Sequence, residues 1–142
     1  MEKQFVTYII ALKLKELGFD EECFGWYGIN KEFIFPANNT LHSANSKMSN
    51  SLIKCSAPLW QQVIDWFREK YDIVIEIVRQ KYFDTYANSY AYEVVCKVYK
   101  NKELEGSVVI RDNKNNHIFY SYEEAREQAI LKAIQIINGR GI

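Results

Sequence analysis

The chain has 142 residues, 48% hydrophobic and 25% charged, a balance that fits one globular domain and excludes disorder or a coiled coil. Its 18 basic and 18 acidic residues cancel, so no global positive field draws it to nucleic acid or anionic lipid. No apolar run reaches the ~20 residues of a membrane span, and Met1-Glu2-Lys3-Gln4 is followed by no apolar stretch of signal-peptide length, so a cytoplasmic location is expected.

Thr7 can cap a first helix over Tyr8 to Leu17, with Ile10, Leu14 and Leu17 on one face and Gly18 as a left-handed stop. Cys23 to Tyr27 reads as a short strand, and Glu32 to Phe35 as its hairpin partner across Gly28 and Asn30. Residues 1–36 thus form a helix and a hairpin, closed by Pro36. From Ala37 to Ser51 the composition turns to Asn and Ser, and 37–55 reads as a long polar loop, mobile or functional.

Residues 56–142 read as one α-β-β-β-α unit. Ser56-Ala57-Pro58-Leu59 resembles a helix opening, a cap followed by proline in the first turn. The helix should run to about Lys70, burying Trp60, Val63, Ile64, Phe67 and Tyr71, with Trp66 half exposed at the stripe's edge. Ile73 to Arg79 alternates as a strand, Tyr90 to Tyr99 as a second, and Leu104 to Ile110 as a third after a turn at Asn101-Lys102. Tyr82 to Tyr90 is left as the loop between the first two.

Asp112 to Asn116 is a polar loop. Ser121-Tyr122-Glu123-Glu124 is a capping box that opens a last helix to Asn138, with Gly139 as its end. Ala125, Ala129 and Ala133 on one side let that helix lie close on a sheet. Leu131 and Ile134 point largely the other way, where a surface helix should be polar. They need a cover, either the first helix or a second copy of the chain. The fold class is therefore α+β, an antiparallel sheet packed by helices, and the chain is expected to be a monomer or a homodimer.

Convergent catalytic groups are few. His42 and His117 lie in separate polar loops without HxxxH or HxH spacing, and Cys23, Cys55 and Cys96 form no CxxC pair. No GxGxxG or GxxxxGK[ST] phosphate loop is present. The reading is a non-enzymatic protein with no metal, no cofactor and three buried, reduced thiols. Binding is the better-supported role, because 15% of the residues are aromatic. Tyr82, Tyr86 and Tyr90 crowd one segment, which reads either as a tyrosine-rich hairpin tip packing on itself or as rigid amphipathic rings suited to stacking. Trp26 and Tyr27 form a second pair, which reads as core or as binding surface.

In element order, residues from Ala57 onward resemble the double-stranded RNA-binding domain. The segment Tyr122-Glu123-Glu124-Ala125-Arg126-Glu127-Gln128-Ala129-Ile130 is similar to that fold's closing helix. The resemblance implies a nucleic-acid module, and Lys97, Lys100 and Lys102 beside Arg79 and Lys81 read as a basic patch across neighbouring strands that would serve as its contacts. The RNA binders, however, place lysines where this chain has Glu123 and Glu124, and carboxylates repel phosphates. A second resemblance, to uncharacterised small proteins of gut bacteriophages and prophages, is carried by several segments. These are Phe5-Val6-Thr7-Tyr8, Leu14-Lys15-Glu16-Leu17-Gly18-Phe19-Asp20, Ala57-Pro58-Leu59-Trp60-Gln61-Gln62, Trp66-Phe67-Arg68-Glu69-Lys70 and Tyr122-Glu123-Glu124-Ala125. It implies a phage accessory protein in the bacterial cytoplasm. Such a protein would occupy a host protein or sequester a small ligand such as a signalling nucleotide, in a counter-defence role. A nucleic-acid partner is the alternative.

Overall fold

Thr7 holds extended backbone (φ −66°, ψ 157°), and the chain turns from it into α1, Tyr8–Glu16. Ile10, Ala11 and Leu14 are buried along its inner side. Gly18 ends it as expected, at φ 85°, where its N–H donates to Lys15 O and that of Phe19 to Leu14 O. The computed structural model describes residues 2–37, 41, 45, 52–84 and 87–139, excluding the side chains of 82–84 and 87–90. Most of the Asn/Ser-rich segment lies outside the described residues.

Two units divide within the second helix, Met1–Val63 and Ile64–Ile142. In the first, β1 (Gly25–Gly28) pairs antiparallel with β2 (Phe33–Ile34), Trp26 opposite Ile34 and Tyr27 opposite Phe33, which is the expected hairpin. The other side of β1 takes β3, Ile53–Ala57. This corrects two expectations. The polar segment 37–55 ends in a strand, and Ser56 belongs to that strand instead of capping a helix. Ser56 is fully buried, and its N–H donates to Asn45 Oδ1 at 3.0 Å. The sheet order is β2-β1-β3, and α1 packs on β3. Phe5, Val6, Ile10, Leu14, Phe19, Tyr27 and Cys55 are buried in this unit.

The second helix, α2, runs Trp60–Tyr71 and so opens three residues later than a cap at Ser56 implied. Pro58 stands before it, and its carbonyl accepts the N–H of Val6 at 3.0 Å. Trp60, Val63 and Phe67 are buried as the periodicity requires, while Ile64 and Tyr71 are half-buried. Trp66 departs from expectation. It is only 4% exposed and lies in ring contact with Phe67 (5.3 Å) and Tyr71 (5.1 Å), with the Lys70 ammonium over its face. Six positions after Trp60 the helix has turned far enough that sequence phase alone places Trp66 at the edge. The aromatic neighbours and the aliphatic stem of Lys70 complete its cover.

In the second unit, β4 (Ile73–Asp84), β5 (Ala87–Lys100) and β6 (Glu103–Val109) form an antiparallel sheet in that order. The strands β4 and β5 stay paired out to Asp84 opposite Ala87. Residues 82–90, read from sequence as a loop, are therefore mostly ladder. The two residues between the strands, Thr85 and Tyr86, lie outside the described residues. Asn101 and Lys102 sit at φ 51° and 66°, the paired left-handed conformation whose twist suits a two-residue hairpin. Past β6, Phe119 takes the place opposite Tyr92, exchanging two backbone hydrogen bonds with it at 2.8 and 2.9 Å.

The last helix, α3, is Tyr122–Gly139. Its cap is the expected one, with the Glu124 N–H donating to Ser121 Oγ at 3.0 Å. It packs on β5 and β4. The core there joins Val94, Cys96, Ile110, Phe119, Ala125 and Ala129, flanked by Ile75, Ile77, Tyr92 and Ile136. Alanines let helix and sheet approach closely, so that the Cys96 thiol reaches Ala129 O at 3.8 Å. Ile130, Ile134 and Ile137 are also buried, whereas Leu131 on the same helix is only half-buried. Among the described residues the fold is α+β, with three α-helices and two three-stranded antiparallel sheets.

Candidate functional site

Strand register decides what each face of the second sheet carries, because directly opposed residues share a face. Ile73, Ile75, Ile77 and Arg79 on β4 oppose Val98, Cys96, Val94 and Tyr92 on β5, and Lys81 continues the alternation of β4. This is the face under α3, since Ile75, Ile77, Val94 and Cys96 belong to the core beneath that helix. The other face carries Val74, Glu76 and Val78 of β4 and Glu93, Val95, Lys97 and Tyr99 of β5. From β6 it carries Val109, Ser107 and Leu104, which oppose Val95, Lys97 and Tyr99. Between Ser107 and Leu104 the ladder slips by one residue at Glu105, and this bulge turns Leu104 to that face.

That second face is rich in aliphatic surface left to solvent. Val78 is 45% exposed, Val109 44% and Leu104 55%, with Val74, Val95 and Tyr99 half-buried among them. One ion pair interrupts the apolar field, Lys97 Nζ to Glu76 Oε1 at 2.8 Å, and the hydrogen bond to Glu76 raises the Lys97 pKa. Every residue of β6 from Glu103 to Val109 is exposed except Gly106, which is half-buried. Such a strand at the margin of a sheet offers both side chains and backbone to a partner.

The residues singled out from sequence fall in different places. Tyr27 is core. Its hydroxyl donates to Val6 O at 2.7 Å, Tyr8 and Phe33 pack edge-on to its ring, and burial pushes its pKa up to about 12. Trp26, its neighbour, is half-buried on the opposite side of β1. Tyr82 and Tyr90 lie in the β4–β5 ladder, opposite Ser89 and Lys81, but their side chains, like all of Tyr86, lie outside the described residues. The five cations do not form one patch. Arg79 and Lys81 lie on the α3 face, while Lys97 is on the other, opposite Val74 and seven residues of β4 from Lys81, or roughly 24 Å of strand. Lys100 and Lys102 lie farther out, at the β5–β6 turn. His42 lies outside the described residues, and His117 Nε2 stands 3.5 Å from Glu93 Oε1.

The three thiols are all buried. Burial raises Cys23 to about 12, Cys55 to about 11 and Cys96 to about 12, so none carries a useful thiolate near neutral pH. Among the described residues no group of three or more His, Cys, Asp and Glu side chains is placed to hold a metal ion. None of the helices among them is long and apolar enough to cross a membrane.

Two of the hollows beside the second sheet combine apolar and cationic walls. One, of about 570 Å³, lies where α2 ends, lined by Lys70, Tyr71 and Asp72 with Tyr99, Lys100 and Glu105. The other, of about 400 Å³, runs between β6 and α3. Neither was visible in the sequence. Leu104 to Ile110 reads there as a third strand, and nothing local says that its outer margin lies open beside a helix. No protein-family model, no curated protein and no solved structure matches this chain.

Proposed function

We propose that this chain is a non-catalytic accessory protein of phage or prophage origin that acts by occupying a host protein. One observation carries the reading: the face of the second sheet away from α3 leaves Val78, Leu104 and Val109 about half exposed in one field. Burying aliphatic surface against a partner gains roughly 25 cal/mol per Å², so such a field favours association over exposure. The protonated state of all three thiols fits a role without nucleophilic chemistry. The resemblance to small phage proteins supplies the biological setting. For a small ligand such as a signalling nucleotide, the hollow of Tyr71 and Tyr99 with Lys70 and Lys100 offers rings for stacking and ammonium groups for phosphate.

A nucleic-acid module on an RNA-binding-domain scaffold is the rival reading, and the order α2-β4-β5-β6-α3 favours it. Against it stand the exposed Glu123 and Glu124 at the start of α3 and the separation of Lys97 from Arg79 and Lys81. Native mass spectrometry of the protein purified from its bacterial host separates these readings. A stoichiometric host protein is the expected adduct, and a retained nucleotide would move the activity to the hollow. Tight, salt-dependent binding of duplex RNA, with no protein adduct, would overturn the proposal.

A further inference from the structure

The free margin of β6 has a built receptor beside it. Ile110 N–H donates to Val94 O at 2.9 Å, and this pair fixes the alternation of the antiparallel ladder. The backbone groups of Val108 and Gly106 face β5, while the N–H and C=O of Ser107 and Val109 face outward. Among the described residues no strand pairs with that margin. Alongside it runs the hollow of about 400 Å³, with Val108, Ile110 and Leu131 as its apolar part. Arg111 and Lys132 also line it, together with Gln128 and Gln135, and no carboxylate does. Arg111 donates to Asn115 O and Lys132 to Gln135 Oε1, both neutral oxygens. Among the described residues neither cation forms an ion pair. Asp112 accepts the N–H groups of Lys114 and Asn116, and Glu105 lines the hollow at the far end of β6.

We infer that β6 receives an extended acidic segment of the partner protein as a fourth strand of the sheet. The segment's backbone pairs with Ser107 and Val109. Its carboxylates turn toward Arg111 and Lys132, and its intervening aliphatic side chains lie beside Val109 on the open face. Alternation of the strand delivers both kinds of side chain at once, because the two lie on opposite faces. This deepens the binding reading proposed above and rests on it. The occupant is acidic because the groove presents two cations and no anion, and extended because the unmet hydrogen-bonding groups are those of a strand.

The test is a titration of the full-length, ¹⁵N-labelled protein with the synthetic peptide acetyl-Thr-Val-Glu-Val-Glu-Val-Thr-amide. The peptide with Lys in place of Glu serves as control. Amide shifts should concentrate at Ser107 to Arg111 and on the Gln128 to Gln135 side of α3. The Lys peptide should bind at least about tenfold more weakly, from the reversal of two charge pairs. Val109→Pro removes an outward N–H that the native ladder does not use, so the protein should keep its melting temperature and lose the peptide. The double variant R111E/K132E gives the same loss without touching the backbone.

Equal binding of both peptides, no shift at millimolar peptide, or full binding by Val109→Pro would each overturn the inference. So would a dimer that Val109→Pro dissolves, because the occupant would then be a second copy of the chain. If the peptide fails while the host protein seen by native mass spectrometry stays bound to Val109→Pro, the binding reading stands and only this assignment falls.

Discussion

Replacing Trp60 by Ala tests the anchoring of α2. The side chain is 6% exposed, and its indole Nε1–H donates to Lys3 O at 3.1 Å. A buried Trp of roughly 200 Å² at ~25 cal/mol per Å² is worth roughly 4–5 kcal/mol. Ala recovers part of this, and the lost hydrogen bond adds about 1 kcal/mol, since water can reach the exposed Lys3 segment. The expected cost is therefore about 3–5 kcal/mol, a large share of the 5–15 kcal/mol that holds a domain of ordinary size. Urea unfolding followed by far-ultraviolet circular dichroism should show the unfolding free energy falling by that amount, through a lower midpoint with the slope unchanged. Trp60→Phe keeps most of the packing and should lose about 1–2 kcal/mol. If the Ala variant lost less than about 1.5 kcal/mol, well below the large-to-small range, the anchoring of α2 through this ring would be refuted.

Ser121→Ala removes the hydroxyl that accepts from Glu124 N–H and should cost about 1 kcal/mol in a thermal melt, whereas Ser121→Asp should restore most of it. Lys102→Gly relieves a side chain held at φ 66° and should gain about 0.5–1 kcal/mol, provided the hairpin keeps its turn; a loss would mean that the Lys102 side chain contributes more than its backbone costs. The thiols should resist a maleimide at pH 7.5 in the native protein and react only on unfolding, so rapid labelling of any one would contradict its burial. Their raised pKa values also set an alkaline limit. Below the unfolded thiol pKa of ~8.5 the contribution to stability is complete. As pH rises from there toward the folded values of about 12, Cys23 and Cys96 each withdraw about 1.4 kcal/mol per pH unit, because only the unfolded chain gives up its proton. Cys96→Ala should flatten the fall in stability above pH 9, and an unchanged slope would show that this thiol ionises as freely in the fold as in the unfolded chain.

Local rules carried much of the fold. The spacing of Trp60, Val63 and Phe67 wrote a buried helical stripe, and the alternation of Ile73, Ile75 and Ile77 a strand with one covered side. Gly18, Asn101-Lys102 and Ser121 punctuate the chain by their own backbone and capping chemistry, so they can be read without knowing what packs on them. Other features depend on partners distant in sequence. Ile53–Ala57 is a strand because β1 pairs with it, although its own residues follow a polar tract and contain a cap-like Ser56. Trp66 is buried by neighbours that its helical phase does not reveal. The candidate site belongs to this second kind. Alternation divides a strand into two sets of residues but does not say which set a helix will cover. Here α3 covers the face of Val94 and Cys96 and leaves that of Val78, Leu104 and Val109 open. Register then separates Lys97 from Arg79 and Lys81, which sequence order had grouped. The bulge at Glu105 and the place of β6 at the margin of the sheet expose a row of backbone groups beside Arg111 and Lys132. Local propensity speaks for each residue separately, and a binding surface exists only where packing leaves several of them uncovered together.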